Sequence, residues 1–212
     1  MVGGLSSSRY ETLQIANELL SGGISGAAFG PGVAVSTRVS QGCSPFPGRY
    51  RVTECADNVI FALDGRPALE VLLEAVGGER AQLLVGLPVA GGEAGDYTAR
   101  NLVAVDPKSK AIAIGERVEP GSDLIFCRRD AAAARADLAR ILRELKAERP
   151  VARGALYFSC VARGEHLFGA RGAELQLLRE ALDELPLVGF FCNGEISRDR
   201  LYGYTGVLTL FH

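Results

Sequence analysis

The sequence predicts an α/β protein with mixed sheets, made of β-hairpins and a βαβ crossover with helices packed on the sheets. Three observations predict it. Apolar residues recur at steps of three and four in Ala134, Leu138, Ile141 and Leu145, and again in Leu175, Leu178, Leu182 and Leu185, which is the helical period. Short runs rich in β-branched and aromatic residues, bounded by glycine, proline or aspartate, read as strands. The order strand 154–159, helix 173–185, strand 187–191 is that of two parallel strands joined by a crossover helix.

The elements follow in order. Ser8 precedes a stripe of Leu13, Ala16 and Leu20, so residues 9–20 read as a helix ended by Gly22-Gly23. Residues 24–29 and 33–39 read as hairpin arms about Gly30-Pro31-Gly32, with Val33, Val35, Thr37 and Val39 on one face. Residues 41–48 hold too much proline and glycine for regular structure. Residues 50–55 and 58–63 form a second hairpin about Ala56-Asp57. Pro67 suits the first position of a helix, where its missing N–H would be unpaired anyway, and Gly77-Gly78 closes that helix. Strands are expected at 82–87, 101–105, 111–114, 123–127 and 205–211, with a loop at 91–95. Asp130 caps a long helix that runs to Arg149 and is stopped by Pro150. The expected domains are residues 1–65 and 66–212.

Composition narrows the function classes. Hydrophobic residues make up 48% of the 212, enough for a packed core. The net charge is −2, with 23 Lys and Arg against 25 Asp and Glu, so no basic surplus is left to neutralise a phosphate backbone and no nucleic-acid partner is expected. No apolar run is long enough for a membrane span, and Met1-Val2-Gly3-Gly4 does not begin a signal peptide, so the expected compartment is the cytoplasm. The 5 cysteines are odd in number and dispersed, as free thiols are. With 2 histidines and no CxxC, no metal site is expected. Neither Gly91–Gly95 nor Gly3-Gly4 has the spacing of a phosphate loop or a dinucleotide fingerprint, so no cofactor is expected.

Parallel strands end on one side of their sheet, and ligands of open α/β sheets bind at that rim. The first strand delivers Cys160, Arg163 and Gly164 there, and the second delivers Cys192, Asn193, Gly194 and Glu195. The glycines permit tight turns and close approach of backbone to a bound group.

The same residues carry a family resemblance. GALYFSCVARG at 154–164, LVGFFCNGEI at 187–196 and GYTGVLTLF at 203–211 resemble the C-terminal FIST domain, a likeness that covers roughly residues 69–211. Val2-Gly3-Gly4, Gly26-Ala27, Gln41-Gly42-Cys43, Val52-Thr53 and Leu63-Asp64-Gly65 resemble the closing part of the FIST N-terminal domain. The family is found in bacterial signal-transduction proteins and in an F-box protein. The resemblance implies a non-enzymatic sensory module for small ligands, amino acids among them. Two departures matter. Pro45-Phe46-Pro47-Gly48 stands where a Pro-Ile-Gly-Pro-like turn is expected, so the loop near Cys43 should differ in shape. Only the closing part of the N-terminal domain is recognisable, so an upstream start or strands from another chain are expected. Otherwise residues 1–65 leave a sheet edge or apolar face uncovered, which favours self-association. With no output segment attached, the signal is expected to pass to a partner protein.

Each candidate has two readings. Arg163 clamps a carboxylate in a bidentate pair, or pairs with Glu165 at the surface. Glu195 receives a ligand amine, or hydrogen-bonds the N–H groups of its own turn. Asn193 contacts the ligand, or takes a left-handed turn before Gly194. Cys160, Cys192 and Cys43 line the pocket, or are small buried apolar groups. Tyr204 covers the ligand, or packs. Cys55 and Cys127 read as core. Two other functions stay open: a thiol-dependent enzyme with Cys160 or Cys192 as nucleophile and His166 as base, and an interaction module whose rim docks a peptide or protein.

Overall fold

A computed structural model describes residues 1–79, 82–89, 95–148 and 151–212. The first half of the chain runs β1 (Val2–Ser6), β2 (Leu13–Ile15), β3 (Leu19–Ser21), β4 (Val35–Ser40), β5 (Cys43–Pro45), β6 (Tyr50–Ala56), β7 (Val59–Leu63), β8 (Arg66–Pro67), α1 (Ala68–Val76) and β9 (Leu83–Pro88). There follow β10 (Tyr97–Asp106), β11 (Ala111–Ile114), β12 (Asp123–Arg129), α2 (Ala131–Glu148), β13 (Gly154–Cys160), α3 (Gly164–Phe168), α4 (Ala173–Ala181), β14 (Leu187–Ser197), β15 (Arg200–Tyr202) and β16 (Gly206–Phe211). Strands packed with helices make the α/β class plain. The chain forms two compact units, one of residues 42–133 and one of residues 1–41 with 134–212.

In the unit of residues 42–133 the strands follow the order β11-β10-β9-β12-β6-β7, all antiparallel, and β7 pairs again with β11. The sheet therefore closes on itself and leaves no open edge along that circuit. α1 buries Ala68, Val71, Leu72 and Val76 in the same core as Ile60, Ile112 and Phe126. The helix ends as expected, with Gly77 left-handed at φ 56 and its N–H on the Leu73 carbonyl. Pro67 sits one position before the helix, on β8. The Asp130 carboxylate accepts the N–H groups of Ala132 and Ala133, which caps α2.

The other unit holds a sheet in the order β1-β14-β13-β16-β4, with β15 added on β14. Strands β13 and β14 are parallel, with Ala155 opposite Leu187 and Cys160 opposite Cys192. The helices bury Leu138, Ile141 and Leu145 of α2, Phe168 of α3 and Leu178 of α4 against Ala155 and Tyr157 of β13 and Leu208 and Leu210 of β16.

Several expectations are corrected. Residues 9–20 form no helix but the small hairpin of β2 and β3, with Asn17 left-handed at its turn. A short amphipathic helix holds only when its stripe is buried, and Leu13 and Leu20 stay 50% and 40% exposed. Residues 24–29 form no strand, and β4 pairs instead with the distant β16. Its buried positions are Ser36 and Ser40 rather than the valines, because that face meets Glu148 and Arg163. The 41–48 stretch contains one short strand, β5, paired with β12. The helix expected at 173–185 is α4, which ends at Ala181, a further short helix, α3, precedes it, and β14 continues to Ser197 instead of ending at 191. Residues 91–94, Arg149 and Pro150 lie outside the described residues.

Candidate functional site

The site is built on the parallel pair. Alternation along β13 turns Tyr157 and Ser159 toward the helices. Glu174, in the first turn of α4, lies on the same helical face as Leu178 and is buried with it. Its carboxylate collects three donors: the Tyr157 hydroxyl at 2.6 Å, the Ser159 hydroxyl at 2.8 Å and Arg163 Nε at 2.7 Å. Arg163 also donates through Nη1 to the Ser40 carbonyl and through Nη2 to its hydroxyl, both at 3.3 Å. The guanidinium stacks over the Phe168 ring at 5.3 Å. Burial works against its charge, yet Tyr157 and Glu174 hold Arg163 above the ordinary arginine range, while burial pushes the Tyr157 phenol up. Arg163 is wholly inaccessible. Gly206 makes room for this network, since a Cβ there would come within 2.1 Å of the Tyr157 hydroxyl.

Above the network lies an open cleft of about 880 Å³. Val161, Leu175, Phe190 and Phe191 supply its apolar walls, with Gly164 and Glu174 at its base and Glu165, His166 and Arg171 around it. Arg179 and Glu184 also line it but pair with each other. Among the described residues, the side chains of Glu165, His166 and Arg171 have no ion-pair or hydrogen-bond partner.

On the other side of the ladder's end, Cys160, Cys192 and Glu195 come together. Gly4 and Ser6 of β1 stand opposite Glu195 and Cys192, so β14 carries an extra residue there. This bulge lies at Asn193-Gly194, with Gly194 at φ 134. An inserted residue resets strand alternation. Glu195 thus turns to the face of Cys192 and acts on both thiols. Glu195 is fully buried, and Oε2 accepts from the Thr205 N–H at 3.2 Å and hydroxyl at 2.8 Å. Burial pushes its carboxyl up to about 7, against the hydrogen bonds from Thr205 and Gly194 and the charge of Arg163. Burial and then the Glu195 charge push the Cys160 thiol up and the Cys192 thiol up to about 12. Both are therefore thiols rather than thiolates at neutral pH.

The expected site residues thus fall in different places. Gly164 lines the cleft, and Arg163 lies beneath it, holding Glu174. Cys160, Cys192 and Glu195 do converge, but inside the sheet. Asn193 is exposed within the bulge, and the positive φ belongs to Gly194. Tyr204 takes a left-handed φ of 64 just before Thr205, and its backbone N–H favours the Cys160 thiolate. Cys43 lies in the other unit, where its carbonyl accepts the Tyr97 hydroxyl and its thiol helps to push that of Cys127 up. The sequence reading did not single out Glu174, Tyr157, Ser159 or Arg171. Glu174 left a signal: a carboxylate four residues before Leu178, on the apolar stripe of its own helix.

One unit carries a sheet with a parallel pair and an adjoining cleft, the other a closed antiparallel barrel, and comparison with known proteins places the chain in a family. The FIST N domain model matches residues 1–66 and the FIST C domain model residues 68–198. The chain belongs to the FIST family, a family of sensory signal-transduction domains that are not typically enzymatic. It is 36% identical over 212 residues to uncharacterized proteins of Mycobacterium bovis and of Mycobacterium tuberculosis strain CDC 1551, with 92% of this chain and 55% of each of those proteins covered. A further uncharacterized protein of the CDC 1551 strain is 36% identical over 211 residues. The chain thus spans about half the length of the relatives it matches. No helix among the described residues is long and apolar enough to cross a membrane.

Proposed function

We propose that the chain is a ligand-binding sensory module whose cleft beside β13 and β14 takes a small ligand of the amino-acid class. The observation that carries this reading is the pairing of apolar walls with charged side chains that the fold leaves uncommitted. Buried ligands need apolar area for affinity and a few polar groups for orientation. Arg171 meets the α-carboxylate and Glu165 the α-ammonium, while Leu175, Val161 and Phe191 receive an apolar side chain. Arg163 serves as a positioning residue: through Glu174 it fixes the start of α4, and with it the Arg171 turn. Binding is signalled by the order it imposes on α3 and α4, which a partner protein reads.

Calorimetry with the apolar amino acids tests this. One or more bind to the wild type, and Arg171→Ala weakens that binding by at least tenfold, about 1.4 kcal/mol. Equal affinity for an amino acid and for its decarboxylated amine would remove Arg171 from the reading. No binding of any amino acid would remove the ligand class.

A further inference from the structure

A groove of about 460 Å³ opens between α2 and α4 in the sheet-and-helix unit. Leu138, Leu142 and Leu177 form its floor, and the short side chains of Ala139 and Ala181 keep its walls low. It shares no lining residue with the cleft beside β13 and β14, yet α4 borders both. Leu175 and Arg179 face the cleft, while Leu177, Glu180 and Ala181 face the groove.

The rim of the groove is cationic. Arg135, Ala139, Leu142 and Lys146 stand at alternating helical steps in one row along α2, and Arg143 lies beside the row. From Arg135 to Lys146 the row is about 16 Å long at the helical rise. The acids of α2 are spent elsewhere. Asp137 holds Arg140 at 2.7 Å and accepts the Gln41 N–H at 2.6 Å. Glu144 holds Arg140 at 2.8 Å and Arg38 at 3.4 Å, and Glu148 holds Arg38 at 2.8 Å. Arg143 is exposed, with no ion-pair or hydrogen-bond partner among the described residues. Arg135 donates to the Phe168 carbonyl and stacks over its ring at 5.2 Å, but pairs with no carboxylate among the described residues. Lys146 meets the exposed Asp183 at 3.4 Å, a surface pair of little worth. On the opposite wall Glu180 is engaged by the Gln176 amide at 2.8 Å.

We propose that this groove docks an acidic amphipathic helix of a partner protein. The apolar strip of that helix seats on Leu142 and Leu177, and carboxylates along its flank meet Arg135, Arg143 and Lys146. Two adjacent helices offer the ridges and groove into which a third helix packs. Cations that the helix's own acids leave uncancelled, set around an apolar floor, are complementary to an acidic partner and repel a basic one. A contact of one short helix is small, as suits a transient signalling encounter. The groove also gives the proposed signal an exit, because α4 separates it from the ligand cleft. That coupling rests on the sensory reading; the docking itself does not.

Fluorescence anisotropy at low ionic strength tests the docking. The probe is a labelled synthetic amphipathic helix long enough to reach from Arg135 to Lys146, with leucines on one face and glutamates on its flanks. The control peptide has the same composition in scrambled order. The probe binds the wild type more tightly than the control does, and added salt weakens it. Arg143→Glu with Lys146→Glu weakens it by at least about tenfold, with an unchanged circular dichroism spectrum because both side chains are exposed. A peptide with lysines in place of its glutamates then binds that variant and not the wild type. Equal affinity for probe and control overturns the inference, as does a probe that binds the charge-reversed variant unchanged or binds neither protein. A wild type that light scattering reads as a dimer, with the charge-reversed variant a monomer, gives the groove to a second copy and overturns it too. The titrations contain no amino acid, so their failure and a failure of the cleft to bind one are separate results.

Discussion

Arg163 Nε and Glu174 Oε1 lie 2.7 Å apart in the interior of the sheet-and-helix unit, joining the end of β13 to the first turn of α4. The pair is complete: the carboxylate also holds Tyr157 and Ser159, and the guanidinium also holds Ser40. A group so engaged is wholly buried and not available at the surface.

Removing one partner exposes how much depends on the other. Arg163→Ala leaves Glu174 buried without its cation, and breaking such a pair costs about 3–5 kcal/mol. Urea denaturation should show a loss of that size. The double variant Arg163→Met with Glu174→Leu should recover much of it, because both charges then leave the core together. A loss under 1 kcal/mol for Arg163→Ala would mean that the network is not a structural requirement.

Glu195 makes the fold sensitive to pH in a defined direction. Its carboxyl titrates at about 7 in the folded protein, against 4.5 for an unperturbed one. The folded state thus binds more protons than the unfolded state between those values, and stability falls as pH rises through that window. The fall is roughly 3 kcal/mol and levels off above the folded value. Glu195→Gln removes the charge and keeps an acceptor for Thr205. This variant should lose that part of the pH dependence and be the more stable protein above pH 7. Urea midpoints at a series of pH values check it; parallel profiles for the two proteins would show that Glu195 does not titrate there.

The thiols give a third prediction. Cys160 and Cys192 are buried and pushed up, and Cys43 and Cys127 are buried together. Cys55 alone is partly accessible. Iodoacetamide at neutral pH should therefore label Cys55 first and the other four only as the protein unfolds. Peptide mapping of the alkylated protein reads the order. Rapid, selective modification of Cys160 or Cys192 would instead point to an activated nucleophile.

The sequence by itself determined the elements whose pattern is local and whose burial is complete. The α2 stripe, the α1 stop at Gly77, the second hairpin and the strands flanking the crossover were all legible. In each, the residue period or the turn chemistry alone selects one conformation. The family was legible too, through three strings that all lie on or beside strands of one sheet. Tertiary structure decided the rest. Residues 9–20 carry a helical stripe, but with no core to receive it they form a hairpin. β4 turns serines inward because a distant arginine and glutamate wait there. Glu195 shares a face with Cys192 only because an extra residue at Asn193-Gly194 shifts the alternation. Arg163, which its loop position suggested for a ligand, is claimed by Glu174 from the next helix. What a side chain meets is set by contacts distant in sequence, and spacing along the chain carries no record of them.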